Sequence, residues 1–366
     1  MIAPEIKKVI EQFDYIGLPV AVKDCNKGHI NGTYFVDCAD SDGNKQRYVL
    51  QSINTGVFKR PDHVMENIVG ITSHIREKLV GEGKDPSQRV VNIVFTKDGR
   101  HSYIDGQGRY WRSYVFIEGD CYQSADSAEV VKKVGKAFGH FQRQLADFDS
   151  SRLYETIPDF HNTVRRFFDF EKAISDDPLG RSEKIKDDIK FILDRKDKCS
   201  FIVDGIAEGR FPLRVTHNDT KLNNIMMDPE TGEGRCVIDL DTVMPGSVLA
   251  DFGDAIRFCA SSAAEDETDL DNIYLRLDMF EGFAEGFLEG LDGVLSESEM
   301  RALPMGAYML TYEQAIRFLG DYLNGDVYFR TQYPEHNLDR ARNQIKLLAD
   351  IEFKMDEMNR IIKKYI

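Results

Sequence analysis

Residues 215–241 read VTHNDTKLNNIMMDPETGEGRCVIDLD. The pattern predicts a short strand, a polar loop, then two strands joined by a glycine-bearing turn at 231–234, with acidic groups at both ends of the hairpin. His217, Asp219 and Asn224 fall in an H-x-D-x-x-x-x-N spacing, and Asp239 follows the apolar run Cys236, Val237, Ile238. Transfer of a phosphoryl group from a nucleotide needs such a set. A carboxylate must accept or orient the attacking hydroxyl, while an amide oxygen and a second carboxylate hold magnesium against the triphosphate. The spacing gives the first role to Asp219 and the metal to Asn224 and Asp239. A carboxylate closing an apolar strand is costly unless a cation satisfies it, which supports Asp239 as a ligand. Asp241, two residues on, would share a strand face with Asp239 and be a further ligand or a substrate contact.

Upstream, an amphipathic helix is predicted over 3–16, strands over 18–22 and 33–38, and a third strand over 48–53 after an Asp42-Gly43 turn. A helix at 61–80 follows, then strands at 90–95, 101–105 and 110–117. Beyond them the apolar positions Val130, Val134, Phe138, Phe141, Leu145 and Phe148 step by three or four, the buried face of a helix. Helices at 163–175, 182–195 and 198–208 lead to the motif. Asp251 would cap the helix after it, and the last hundred residues are helical, ending in an amphipathic stretch over 338–362. The fold class is α+β, a small β-rich lobe over 1–120 followed by a mostly helical lobe over 121–366.

Composition narrows the partners. At 366 residues the chain can bury a core large enough for a deep cleft. Lys and Arg number 47 against 62 Asp and Glu, a net charge of -15 that repels polyanions and argues against nucleic acid. No apolar signal core opens the sequence and no apolar run reaches the roughly 18–20 residues of a membrane span, so a cytoplasmic protein away from membranes is expected. The six cysteines show no paired spacing, which suits small buried residues and reduced thiols. No G-x-x-x-x-G-K-[ST] is present, so a P-loop is excluded.

HNDTKLNN at 217–224 and IDLDT at 238–242 resemble the catalytic loop and metal strand of the aminoglycoside phosphotransferase and choline kinase superfamily, relatives of protein kinases. GHINGTY at 28–34, YVLQSIN at 48–54, PLRVTHNDTKLNNI at 212–225, VIDLDTVMPGS at 237–247, DFGD at 251–254, RFLGDYL at 317–323 and YPEHNL at 333–338 are similar to bacterial N-acetylhexosamine 1-kinases. The resemblance implies a bilobal protein-kinase-like fold that uses ATP and Mg2+ to phosphorylate the anomeric hydroxyl of N-acetylglucosamine or N-acetylgalactosamine, with nucleotide and small sugar as partners. The sequence leaves the oligomeric state open and favours a monomer over a dimer through the last helix. It implies nucleotide contacts from Gly28, Asn31, Gly32 and Thr33, from the hinge at Phe116 and Ile117, and from Lys221. It assigns the acceptor to Asp219, Arg317, Asp321, Tyr328, His29 and Asp241, and has Asp251 tie the catalytic loop.

One departure stands out against the protein kinases, which place a lysine on the third strand to hold the nucleotide phosphates. Here Gln51 occupies that place, as it does in the N-acetylhexosamine 1-kinases, and Lys59, Arg60 and Arg112 are the substitutes the sequence offers. The alternatives left open are a kinase of another small alcohol, of the aminoglycoside, choline or homoserine type, and a pseudokinase that binds without transfer.

Overall fold

Alternation and tight turns in the first third of the chain produce one antiparallel sheet. In a computed structural model, which describes residues 4–25 and 31–366, strands β1 (Leu18–Asp24), β2 (Gly32–Ala39), β3 (Lys45–Ile53), β4 (Ile93–Val94), β5 (Tyr103–Ile104) and β6 (Tyr110–Val115) run in the order β1-β2-β3-β6-β4, with β5 also on β6. The β2–β3 turn closes because the Asp40 carboxylate accepts the backbone N–H groups of Asp42 and Asn44, both at 2.9 Å. In the resulting register Gln51 stands opposite Thr33 on one side and Arg112 on the other.

One face of the sheet is covered by the first helix. Helix α1 (Pro4–Ile10) sets Ile6, Val9 and Ile10, together with Phe13, against Val36, Tyr48, Leu50 and Trp111. It is shorter than the 3–16 expected. Past Ile10 the sheet captures the backbone: Phe13 bridges Thr96, and the Asp14 N–H donates to the carbonyl of Phe95 at 2.9 Å. Helix α2 (Pro61–Gly81) starts on a proline, where the missing N–H costs nothing, and buries Val64, Met65, Ile68, Ile71, Ile75 and Leu79. Asn67 reaches from its buried side to the carbonyl of Val243 at 2.9 Å, so this helix touches the far lobe beside the metal motif.

From the sheet the chain passes through 116–120, where Asp120 and Met227 exchange backbone hydrogen bonds of 2.9 and 2.8 Å. The rest is largely helical: α3 (Ala128–Gln144), α4 (Thr163–Asp176), α5 (Lys186–Leu193), α6 (Phe201–Ala207), α7 (Val248–Cys259), α8 (Leu277–Leu291), α9 (Glu297–Leu323) and α10 (His336–Ile362). Two small antiparallel pairs sit among them, β7 (Arg214–Thr216) with β10 (Met244–Gly246) and β8 (Ile225–Met227) with β9 (Gly234–Val237). Phe252 of α7 meets Phe280, Phe283 and Phe287 of α8 at ring separations of 5.6–5.8 Å, and these four rings centre the core. The final helix α10 buries Leu338, Ala341, Leu348, Ile351 and Met358, packing along α9. The expected bilobal α+β arrangement is thus present. No described helix is long and apolar enough to cross a membrane.

Helices α3 and α8 approach until their backbones touch. A Cβ on Gly286 would lie 1.9 Å from the carbonyl oxygen of Lys132, and one on Gly139 would lie 2.2 Å from that of Phe287. Only glycine permits that approach. The seam matters to the site, because the same helix α3 carries Phe138, Phe141 and Gln142 against the catalytic motif.

Candidate active site

The polar loop after β7 is held by its backbone N–H groups and by its own side chains together. Asp251 accepts the N–H of His217 at 2.8 Å and of Asn218 at 2.7 Å, and Asp254 accepts that of Thr220 at 3.0 Å. Gln142 donates to the same Asp251 carboxylate. The expected N-cap role of Asp251 is corrected: Ser247 caps α7, accepting from the Leu249 N–H at 3.2 Å, and Asp251 lies a turn inside the helix where its side chain can reach the loop. This fulfils its other expected role. Burial pushes the Asp251 carboxyl up, against the pull of the two N–H donors and His217. Asn218 takes the left-handed conformation, φ 62°, with its amide fixed by the carbonyl of Thr242 at 2.9 Å.

His217 is a brace. Its Nε2 lies 2.9 Å from the carbonyl of Ile238 and its Nδ1 accepts the Asp219 N–H at 3.3 Å, which assigns the ring hydrogen to Nε2. Asp219 projects from this frame into the cleft. Its carboxylate pairs with Lys221 at 2.7 Å and accepts from the Asn224 amide at 3.0 Å. Burial alone would raise its pKa, but the Lys221 ammonium outweighs that and holds the carboxyl below its ordinary range. An ionised, weakly basic carboxylate is better suited to orienting a hydroxyl than to stripping its proton.

Asn224 uses its amide nitrogen on Asp219, 2.8 Å to the backbone carbonyl as well, which leaves its oxygen to face a cation. Asp239 follows β9 in the left-handed region at φ 58°, and residues 240–242 form a single 3-10 turn. The expectation that Asp239 and Asp241 share a strand face is therefore corrected: the backbone turns over at Asp239 and sends the two carboxylates in different directions. Asp239 is solvent-accessible at the floor of the cleft, yet hemmed in by protein. That setting, with Asp241 and Asp219 nearby, drives its pKa up. One amide oxygen and one carboxylate short of a positive partner suit a hard divalent cation that completes its shell with phosphate and water; no cluster of three or more His, Cys, Asp or Glu side chains among the described residues would form a closed cage.

Asp241 turns toward the sheet. It is buried, ion-paired with Arg112, and accepts from the Asn31 amide at 2.7 Å. Arg112 also donates twice to the Gln51 oxygen, at 3.0 and 2.7 Å, and Gln51 donates to Thr33 at 3.1 Å. Asn31 and Thr33 thus meet the metal turn as one polar cluster. Gly32 belongs to β2 with no close neighbour and no left-handed backbone, so nothing in its conformation requires a glycine. Gly28 and His29 lie outside the described residues. At the hinge, Phe116 donates its N–H to the Arg47 carbonyl at 3.0 Å and its own carbonyl accepts from Gln88 at 3.4 Å; its ring packs edge-on to Phe35, and Ile117 is buried. The Phe116 backbone is thus paired within the protein.

A family model described as "Phosphotransferase enzyme family" matches residues 21–289, a span that holds most of the sheet, the polar loop after β7 and the turn at 239–242. The chain belongs to that family. Solved phosphotransferase structures share its fold over nearly their whole length. A microcompartment-associated aminopropanol kinase aligns at 14% identity and TM-score 0.62, covering 97% of this chain and 98% of its own. An aminoglycoside phosphotransferase from Alicyclobacillus acidocaldarius aligns at 12% and 0.62, covering 100% and 97%. An amicoumacin kinase in complex with AMP-PNP, Ca2+ and its ligand aligns at 17% and 0.60, covering 97% and 94%.

Beside the phosphotransferase loop lies a second polar group that the sequence did not point to. His161 lies between Glu313, at 2.9 Å, and the carbonyl of Asn218, at 3.3 Å; Thr163 donates to the same Glu313 at 2.8 Å. Burial lowers the His161 pKa, but the Glu313 carboxylate outweighs it and the net shift is upward. Arg317, one turn further along α9, donates to Gln314 at 3.0 Å and lies 5.5 Å from the ring of Phe160, 5.3 Å from Phe329 and 5.8 Å from Tyr328. Arg166 is close enough that Arg317, after burial, lowers its pKa. Asp321, one turn beyond Arg317 on α9, is engaged by backbone. Its oxygens accept the N–H groups of Val327, Tyr328 and Phe329 at 2.8–3.0 Å and the amide of Asn337 at 2.9 Å, so it organises the loop that presents Tyr328, and the acceptor contact expected of it is corrected to that positioning role. A glutamate inside the apolar run MLTYEQAIRF was the available signal for Glu313; His161 sits in a loop with no periodicity to read.

Proposed function

We propose that this phosphotransferase uses ATP and Mg2+ to phosphorylate the anomeric hydroxyl of an N-acetylhexosamine, N-acetylglucosamine or N-acetylgalactosamine, giving the sugar 1-phosphate. The observation that carries this reading is the charge beside the catalytic loop: two guanidinium groups, Arg166 and Arg317, set among Phe160, Tyr328 and Phe329, while the nearby His161 is balanced by Glu313. Such a wall repels a cationic amino alcohol or aminoglycoside. It suits a neutral ring that offers hydroxyl and acetamido oxygens as acceptors and a flat face for stacking.

The state of Asp219 supports the same acceptor. An anomeric hydroxyl is more acidic than an ordinary alcohol, so an orienting carboxylate of low basicity is sufficient, and positioning makes the larger contribution. In this reading Asp219 accepts the hydroxyl's hydrogen bond. Asn224 and Asp239 hold the magnesium, which neutralises charge on the transferring phosphate. Lys221 stands by Asp219 at the incoming face.

A second reading, phosphorylation of another small alcohol, draws on the relatives, whose names include an aminopropanol kinase and an amicoumacin kinase. Phosphorus NMR with ATP, magnesium and a panel of reducing sugars, choline, aminopropanol and aminoglycosides decides between them. A new phosphate resonance coupled to an anomeric proton, appearing with N-acetylhexosamines, is the expected result. Turnover of the amino alcohols alone would refute it.

A further inference from the structure

Gln51 stands where related kinases carry their phosphate-holding lysine, and an amide has no charge to offer. The charge lies one strand over. Arg112 faces Gln51 across the β3–β6 ladder and is 3% exposed. Its Nε and Nη2 both donate to the Gln51 oxygen, while Nη1 pairs with Asp241. Gln51 is itself fixed by its bond to Thr33, so the guanidinium is aimed by a chain of side chains from β2, β3 and the metal turn. Lys59 and Arg60 do not compete: both are exposed, and Arg60 pairs with Asp62 at 2.7 Å. Nor does α2 supply a carboxylate to this strand, since Glu66 is exposed and engages Tyr154.

We propose that Arg112 is the cation that positions the nucleotide's phosphates, a role moved from β3 to β6, with Gln51 as its cradle and Asp241 as the counter-charge that keeps it in place before nucleotide binds. The cluster ties Asn31 and Thr33 of the sheet to Asp241, two residues after Asp239, and Asp239 lies near enough to act on the Arg112 charge, so a diphosphate whose metal sat on Asp239 and Asn224 would come beside it. Gln51 and Asp241 take up three of the five guanidinium N–H groups, and the two left over, one on Nη1 and one on Nη2, are the donors a phosphate would accept. The proposal rests on nucleotide use as read above and is independent of the acceptor.

Calorimetric titration of the whole protein with Mg–ADP and, separately, with adenosine tests it. Arg112→Met should weaken Mg–ADP at least about tenfold while adenosine stays within about twofold, and Arg112→Lys should recover part of the loss. If the Met variant fails to fold, Arg112→Gln, which retains a donor toward Asp241, is expected to show the same selective loss. A parallel fall for both ligands marks a merely structural ion pair and overturns the proposal, as does unchanged Mg–ADP binding. Wild-type protein that binds neither ligand overturns the nucleotide reading itself, and this proposal with it.

Discussion

Asp251 receives the backbone N–H of Asn218 at 2.7 Å, so the catalytic loop hangs from α7 by its backbone while the His217 and Asn218 side chains brace it from the other side. Removing that carboxylate leaves the N–H groups of His217 and Asn218 without their acceptor in a buried setting. Asp251→Ala should cost about 2–6 kcal/mol of stability, at roughly 1–3 kcal/mol for each of the two unsatisfied donors. Turnover should fall with it, because Asp219 loses its frame. Chemical denaturation and an ADP-release assay read the two effects, and a variant as stable as the wild type would contradict the assignment.

Asp219→Asn keeps the shape of the side chain and removes its charge. The expected result is turnover reduced by at least about 100-fold, with Mg–nucleotide affinity within a few-fold of wild type. Steady-state kinetics alongside calorimetric titration separates the two. Unchanged turnover would remove Asp219 from the mechanism.

The His161–Glu313 pair gives stability a pH window. His161 has its pKa raised above the ordinary 6.5, so its contribution is complete below 6.5 and is lost as pH rises through the raised value. Glu313 has its pKa lowered from 4.5, where burial opposes the shift and His161 imposes it; its contribution is complete above 4.5 and is lost as pH falls through the lowered value. Between those limits Glu313→Gln should be less stable than wild type by about 3–5 kcal/mol, the usual effect of breaking a buried pair. The gap should narrow as pH rises beyond the window. Denaturation of both proteins from pH 5.5 to 9 measures it, and a gap that stays constant would mean the pair is not ionised.

Arg317→Ala removes a guanidinium from the proposed acceptor wall without touching the catalytic loop. Acceptor KM should rise about five- to twentyfold while kcat changes little, the pattern of lost uniform binding. An equal fall in kcat and kcat/KM would instead place Arg317 at the reacting phosphate.

What the sequence made legible is what chemistry forces to be local. Asp219, Asn224 and Asp239 lie within 21 residues, and their order along one hairpin can be read because a strand, a loop and a second strand bring them to one mouth. The sheet and the long helices were legible through alternation and three-to-four spacing. Features set by distant partners were not. Helix α1 stops early because a sheet edge takes up its continuing backbone, and Asp241 leaves the face of Asp239 because one left-handed residue reverses the chain. Glu313 and His161, 152 positions apart, meet only in the folded chain. Arg112 was visible as a candidate, but nothing short of the strand register could separate it from Lys59 and Arg60.

The glycine seam between α3 and α8 has a consequence for how such a chain can change over generations. Gly139 and Gly286 admit no larger residue without separating two helices, and α3 is the one that carries Phe138, Phe141 and Gln142 to the catalytic loop. The proposed acceptor wall is built elsewhere, from α4, α9 and the loop that Asp321 organises. Drift and selection can therefore redraw the acceptor wall residue by residue while the phosphate-transferring half is inherited unaltered, one physical route by which a single scaffold comes to serve many acceptors.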